Sequence, residues 1–278
     1  MPVTATRLLR KMRGGAQAHL LAASDGRHYV TKFRENPQHR RILVNEWVAG
    51  VILQYLQIPS PAIQIVELRP EFLLANPEVN LQLGSRTVPV APGWHFGSAY
   101  PGDPDRLAVY DFLPDSLLPD VVNLRDFLGV LAFDKWVGNA DSRQAIFFRA
   151  RLRQWLSDPE VSPQRKGFVA VMIDHGYAFN GPHWEFVDSP LTGLFHRPIV
   201  YQSVRSWRDF EPWLERIRYF PDAELDRALR SVPPRWLNGD RDELERLLLQ
   251  LQARRARTPE LIRDCTRGRV NPFPNWDE

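Results

Sequence analysis

Between Arg27 and Leu56 the spacing of apolar side chains changes from two to nearly four. The run Arg27-His28-Tyr29-Val30-Thr31-Lys32-Phe33 is rich in β-branched and aromatic residues and alternates as a strand does, so His28, Val30 and Lys32 share one face. Beyond Pro37, the residues Leu43, Val44, Trp47, Val48, Val51, Ile52, Tyr55 and Leu56 recur at helical spacing, which predicts an amphipathic helix ended by Pro59 and Pro61. A β-turn at Ser24-Asp25-Gly26 leads back to a strand opened by Gly14-Gly15. A hairpin followed by an amphipathic helix therefore fixes the architecture of the first third. It also puts a strand lysine, Lys32, within reach of a helix carboxylate, Glu46, fourteen residues later.

Residues 60–115 carry many Pro and Gly and predict short strands and long connections, with Leu107–Phe112 the clearest strand. From Asn123, an N-cap residue with Asp126 three positions on, a helix is predicted through Leu124, Phe127, Leu128 and Leu131 to the Trp136 region. It breaks at Gly138-Asn139-Ala140-Asp141. Two apolar strands, Ala145–Phe148 and Phe168–Ile173, predict a second hairpin across a basic connection from Arg149 to Lys166, read as a solvated loop. The remainder is predicted to be helical, near Trp207–Tyr219, from Asp222, from Asp240 to Arg254, and from Thr258. Strands with one helix followed mainly by helices give an α+β chain of two unequal lobes, 1–114 and 115–278.

At 278 residues, with 44% apolar and 25% charged side chains, the chain can bury a large core, which excludes a disordered or a small disulfide-stapled protein. The single cysteine, Cys265, has no partner for an intrachain disulfide, and no apolar run approaches the length of a spanning helix. A cytoplasmic protein without membrane insertion is expected. Charge is nearly balanced, with 36 Lys plus Arg against 33 Asp plus Glu spread along the chain, so direct nucleic-acid binding is not expected. Lysine is scarce: only Lys11, Lys32, Lys135 and Lys166 are present. A lysine kept inside a strand marks a place where a slim ammonium suits and a planar guanidinium does not.

A glycine turn, a strand lysine, a helix glutamate and two carboxylates at polar loops beside a hairpin are the parts phosphoryl transfer uses. Val30-Thr31-Lys32 resembles the kinase strand motif V-A-I-K, and Asp174-His175-Gly176, directly after Val169–Ile173, resembles D-F-G. The loop Asn139-x-Asp141-x-Arg143 before a strand, together with Ile173-Asp174-His175-Gly176-x-Ala178-Phe179, resembles the HipA-like kinases and, more distantly, the phosphoinositide kinases. The resemblance spans about residues 10 to 250 and implies a two-lobed protein-kinase-like fold, with a small β-rich N-lobe carrying one helix and a larger, mainly helical C-lobe. It implies an ATP- and Mg²⁺-dependent phosphotransferase, of which a protein Ser/Thr kinase is the first expectation. A nucleotide-binding pseudokinase acting as a regulatory or interaction module, and a lipid or small-molecule kinase, are the alternatives.

The resemblance also assigns roles. Asp141 orients the attacking hydroxyl, Asp174 binds the metal, Lys32 holds phosphates and Glu46 holds Lys32. The Gly14-Gly15 turn covers the phosphates, Val30 touches adenine, and Tyr110, Asp111 and Phe112 lie in the hinge. Family members carry an asparagine five residues after the catalytic aspartate as second metal ligand, and that place here is Ile146. Gln144, and after it Asn139, is the expected substitute, because hard cations accept amide oxygens. The implied partners are ATP, a protein acceptor and an antitoxin-like or regulatory protein.

Overall fold

The computed structural model describes residues 1–154, 162, 164–268 and 270–277. Five strands close into a barrel in the order β1-β2-β3-β7-β4: β1 (Val3–Lys11), β2 (His19–Ala23), β3 (His28–Lys32), β4 (Ile63–Leu68) and β7 (Gly93–Ala99). All neighbours are antiparallel except β1 and β4, which run parallel through Val3↔Val66 and Thr4↔Glu67. Alternation along the strands buries Leu21, Tyr29, Val66 and Leu68 inside, with Phe33 beside them. Between β4 and β7 lie α2 (Pro70–Ala75) and a small hairpin, β5 (Asn80–Leu83) with β6 (Arg86–Pro89). The first 114 residues thus hold two helices where the sequence predicts one. The short α2 gives no periodic signal, being only one and a half turns long.

The helix after β3, α1 (Arg41–Leu56), stops at Gln57, which takes the left-handed conformation ahead of Pro59. Twelve of its sixteen residues are buried, so it is not the one-faced amphipathic helix that its spacing suggests. One side meets the barrel. Another meets α5 (Asp222–Ser231) and α6 (Pro234–Leu237), where the Trp47 indole donates to Ser231 Oγ at 2.8 Å and packs edge-on against Trp236.

A three-stranded sheet follows, in which β9 (Gln144–Arg151) pairs with both β8 (Val109–Tyr110) and β10 (Lys166–Ile173). The predicted strand at Leu107–Phe112 shortens to the two residues of β8. Ahead of this sheet's long hairpin, α3 (Asp126–Val137) begins two residues later than the sequence predicts, with Arg125 rather than Asn123 at its N-cap. Asn123 is not its cap: the side chain spans to the Ala170 backbone, accepting from its N–H and donating to its carbonyl at 2.8 Å each. Of the basic connection, residues 155–161 and 163 lie outside the described residues. The C-terminal part is helical, with α4 (Trp213–Arg218), α7 (Arg241–Ala253) and α8 (Thr258–Arg263) completing the core around α3. No described helix is long and apolar enough to cross a membrane.

Candidate functional site

The cleft between the barrel and the three-stranded sheet has a volume of about 350 Å³. Its floor is an ion triad. Lys32, the last residue of β3, is buried and donates to Glu46 on α1 and to Asp174 Oδ1 at 2.8 Å. Burial works against the ammonium, but the two carboxylates outweigh it and hold the Lys32 pKa above its ordinary value. Burial likewise works to raise the Asp174 carboxyl, and Lys32 reverses this and draws it below the usual range. Glu46 is pushed up by burial, with Lys32 opposing. The lysine is thus a fixed positive charge, with the more exposed of its partners, Asp174, turned to the cleft.

Asp174 follows directly on β10 with φ +59°, a left-handed conformation that aspartate tolerates better than most residues. The chain reverses there, and Gly176 permits the next step. A Cβ at Gly176 would stand 2.6 Å from Ile42 on α1, so only glycine lets this loop lie against the helix. His175 turns inward, where Nδ1 accepts from Arg143 at 3.1 Å and Nε2 donates to the Met172 carbonyl at 3.2 Å. Burial and the Arg143 charge lower its pKa well below the ordinary histidine value, so the ring is neutral.

The loop after α3 is locked from beneath. Gly138, left-handed at φ +61°, ends the helix and donates to the Asp134 carbonyl. The Asp134 carboxylate, wholly buried, receives Arg143 Nε at 2.8 Å, Arg143 Nη2, and Asn139 Nδ2 at 3.0 Å. Arg143 Nη1 reaches across to the Ile173 carbonyl at 2.8 Å. Asp141 thereby sits on a turn held at both ends: its N–H lies 3.3 Å from Asn139 Oδ1, and Ala140 donates to the Tyr177 carbonyl at 3.0 Å. The Asp141 side chain is half-buried, and its Oδ1 accepts from Ser142 N–H at 2.7 Å.

Of the residues singled out from the sequence, Gly14, Gly15, Val30, Lys32, Glu46, Asp111, Gln144 and Asp174 line the cleft. Gln144 and Ile173 are register partners across the β9–β10 hairpin, so the Gln144 amide and the Asp174 carboxylate come from neighbouring ladder positions. Gly14 and Gly15 belong to the turn between β1 and β2, and a Cβ on Gly14 would meet nothing within 4 Å, which leaves backbone over open space. Asp141 is not among the residues that line the cleft. Asn139 does not reach the cleft; it is buried and its amide is spent on Asp134 and on Asp141 N–H. Tyr110 and Phe112 also face away, Tyr110 edge-on to Phe168 and Phe112 beneath the Arg197 guanidinium at 4.7 Å. Alternation about Asp111 explains this, since Val109 and Asp111 face the cleft and their neighbours cannot.

Sequence reasoning gave no role to Arg143, Asp134, Asn45 or Arg41. The Asn45 amide, one residue before Glu46, lies within 3.0 Å of the carbonyls of Gly176, Ala178 and Gly181, and its Oδ1 accepts from the Trp184 indole at 2.7 Å. Arg41 donates to the Pro182 carbonyl at 2.9 Å and covers the Trp184 ring. An asparagine in the middle of the apolar run from Ile42 to Val48, and an arginine at its head, were the available signal.

Among described residues no group of three or more His, Cys, Asp or Glu forms a metal cluster. The Asp174 carboxylate and the Gln144 amide still offer two oxygens of the kind a hard cation takes when phosphate and water complete its shell.

Comparison with known proteins adds the family. The model of the HipA-like kinases matches residues 5–261. No relative is found among the curated proteins. Among solved structures, the crystal structure of the Golgi casein kinase superimposes with a TM-score of 0.51 at 11% identity, over 96% of this chain and 74% of that one. The crystal structure of the Golgi casein kinase with Mn/ADP bound gives a TM-score of 0.45 at 12% identity, over 96% of this chain and 73% of that one. The first likeness shows a kinase-like fold, in keeping with the α+β content. With the family model spanning nearly the whole length, the chain belongs to the HipA-like kinase family, and its chemistry is that of a kinase-like phosphotransferase.

Proposed function

We propose that the chain transfers the γ-phosphoryl group of ATP, with Mg²⁺, to a Ser or Thr hydroxyl of a protein, and that its cleft lies between lobes 1–114 and 115–278. The observation that carries this is the charged Lys32 held between Glu46 and Asp174 on the floor of a cleft covered by the Gly14-Gly15 turn. Lys32 is the cation for the phosphates and Glu46 fixes its position. The turn offers backbone N–H groups from above. Asp174 and Gln144 are the metal donors, and Val109 with Asp111 supplies hinge backbone beside the base. When bound, ATP supplies the phosphoryl group and Mg²⁺ neutralises its charge. Asp141 accepts the proton of the acceptor hydroxyl as its oxygen bonds to phosphorus and the bond to the departing diphosphate breaks.

ATP binding by calorimetry, with and without Mg²⁺, is the test. Wild type is expected to bind in a Mg²⁺-dependent way, Asp174→Asn to lose that dependence, and Asp141→Asn to bind normally while transferring nothing. Equal transfer by wild type and Asp141→Asn would overturn the reading. One observation favours a second reading: Ile146 lines the cleft where the family places an amide ligand. Metal-independent binding without transfer would make the chain a nucleotide-binding regulatory module.

A further inference from the structure

A second and larger hollow, about 630 Å³ and open to solvent, lies at the foot of α1. The connection from β3 to α1 forms one wall through Arg34, Glu35 and Arg40, and the α6 region forms the other through Arg235, Asn238 and Gly239. Three guanidinium groups thus line it against one carboxylate. Asp240, bonded to Arg40 at 2.9 Å, is shared with Arg41 at 2.7 Å and cannot neutralise both. Arg34 spends its ion pair on Glu35 Oε1, while Arg235 is exposed and has no ion pair among the described residues.

Two atoms of residues that line this groove are buried without a hydrogen-bond partner: Arg40 Nε, a donor, and Glu35 Oε2, an acceptor. Buried polar atoms are rarely left so, and both belong to side chains whose other atoms line a single groove. A simple anion suits the guanidinium groups alone and is repelled by the Glu35 carboxylate. The phosphate backbone of a nucleic acid has the same defect. A polypeptide answers both, with side-chain carboxylates for the arginines and a backbone N–H for Glu35. The open shape suits an extended segment. Gln38, between Arg34 and Arg40, lines the catalytic cleft, so one connection walls both spaces.

We propose that this groove docks an acidic, extended segment of a protein partner. The proposal stands apart from the transfer chemistry. It is tested by fluorescence anisotropy of a labelled Glu- and Asp-rich decapeptide at low ionic strength, with ATP binding measured separately on the same proteins. Wild type is expected to bind the peptide, and Arg235→Glu, an exposed change, to bind it roughly fivefold or more weakly. Arg267→Glu, the same charge change at an exposed site outside the groove, is expected to match wild type. ATP binding should be alike in all three, so loss of ATP binding with peptide binding intact would count against the cleft reading alone. Absence of peptide binding by wild type, equal weakening by Arg267→Glu, or displacement of the peptide by an oligonucleotide of the same charge would overturn the proposal.

Discussion

Arg143 and Asp134 face each other, both fully buried, through two parallel bonds, Nε to Oδ2 at 2.8 Å and Nη2 to Oδ1. Burial works against the guanidinium charge, and Asp134 more than restores it. The pair is a support: the remaining nitrogen, Nη1, carries the Ile173 carbonyl and His175, the two residues flanking Asp174. Arg143→Met is expected to strand the Asp134 charge and cost about 3–5 kcal/mol in urea unfolding. Arg143→Met combined with Asp134→Leu should regain most of that stability. Metal-dependent nucleotide binding should stay weak in the double variant, because nothing then holds the Ile173 carbonyl and the His175 ring.

Asn45 ties α1 to the loop after Asp174. Asn45→Ala leaves carbonyls and the Trp184 indole without their partner, and should cost about 1–3 kcal/mol in thermal or urea unfolding. Transfer should fall further than stability accounts for, since Glu46 is the next residue. An unchanged rate in the folded variant would show that α1 needs no such tether.

The place of Ile146 gives a gain-of-function experiment. It is half-buried and lines the cleft, so Ile146→Asn adds an amide oxygen without emptying the core. Mg²⁺-dependent ATP affinity should rise several-fold in calorimetry, and Gln144→Ala should then be tolerated where it is not in wild type.

The helix α1, the β9–β10 hairpin and the Lys32–Glu46 spacing were legible because local period and charge carry them. The strand β1 was not, since its pairing with β2 shifts register between Ala5 and Arg7 and again between Leu8 and Arg10, so its buried and exposed residues do not alternate. Nor was β7, opened by Gly93 and interrupted by Gly97, though it is the strand that joins β3 to β4. The reach of Arg143 to Asp134 depends on a helix end and a strand start folding face to face, which no spacing rule contains. Tyr110 and Phe112 were placed in the cleft by their chain position, while the strand's alternation put only every second residue there.

His95 makes stability depend on pH. It is buried in the barrel, its Nδ1 accepting from Arg34 N–H at 3.1 Å and its Nε2 bonded to the Ala91 carbonyl at 3.0 Å, and burial lowers its pKa to about 3. The unfolded chain takes up a proton below about pH 6.5 that the folded ring refuses, so stability is full above that value and falls as the pH drops towards 3. Between pH 8 and pH 5 this one group should cost about 2 kcal/mol. Asp126, pushed up to about 6 by burial, acts in the opposite sense. The difference in slope between wild type and His95→Gln, from urea unfolding at each pH, isolates the histidine.

The barrel is a ring closed by one short parallel seam, Val3↔Val66 and Thr4↔Glu67, where its other joins are antiparallel ladders of four or more residue pairs. A ring yields where it is stitched most thinly. Under heat or pulling the first strand should peel from the fourth before any other pair parts, and the barrel then becomes an open sheet with two raw edges able to bind a neighbouring chain. Amide exchange should therefore begin at residues 3 and 4 and at their partners. The same seam makes Val3 and Thr4 the residues whose loss would leave the edge of β4 unpaired.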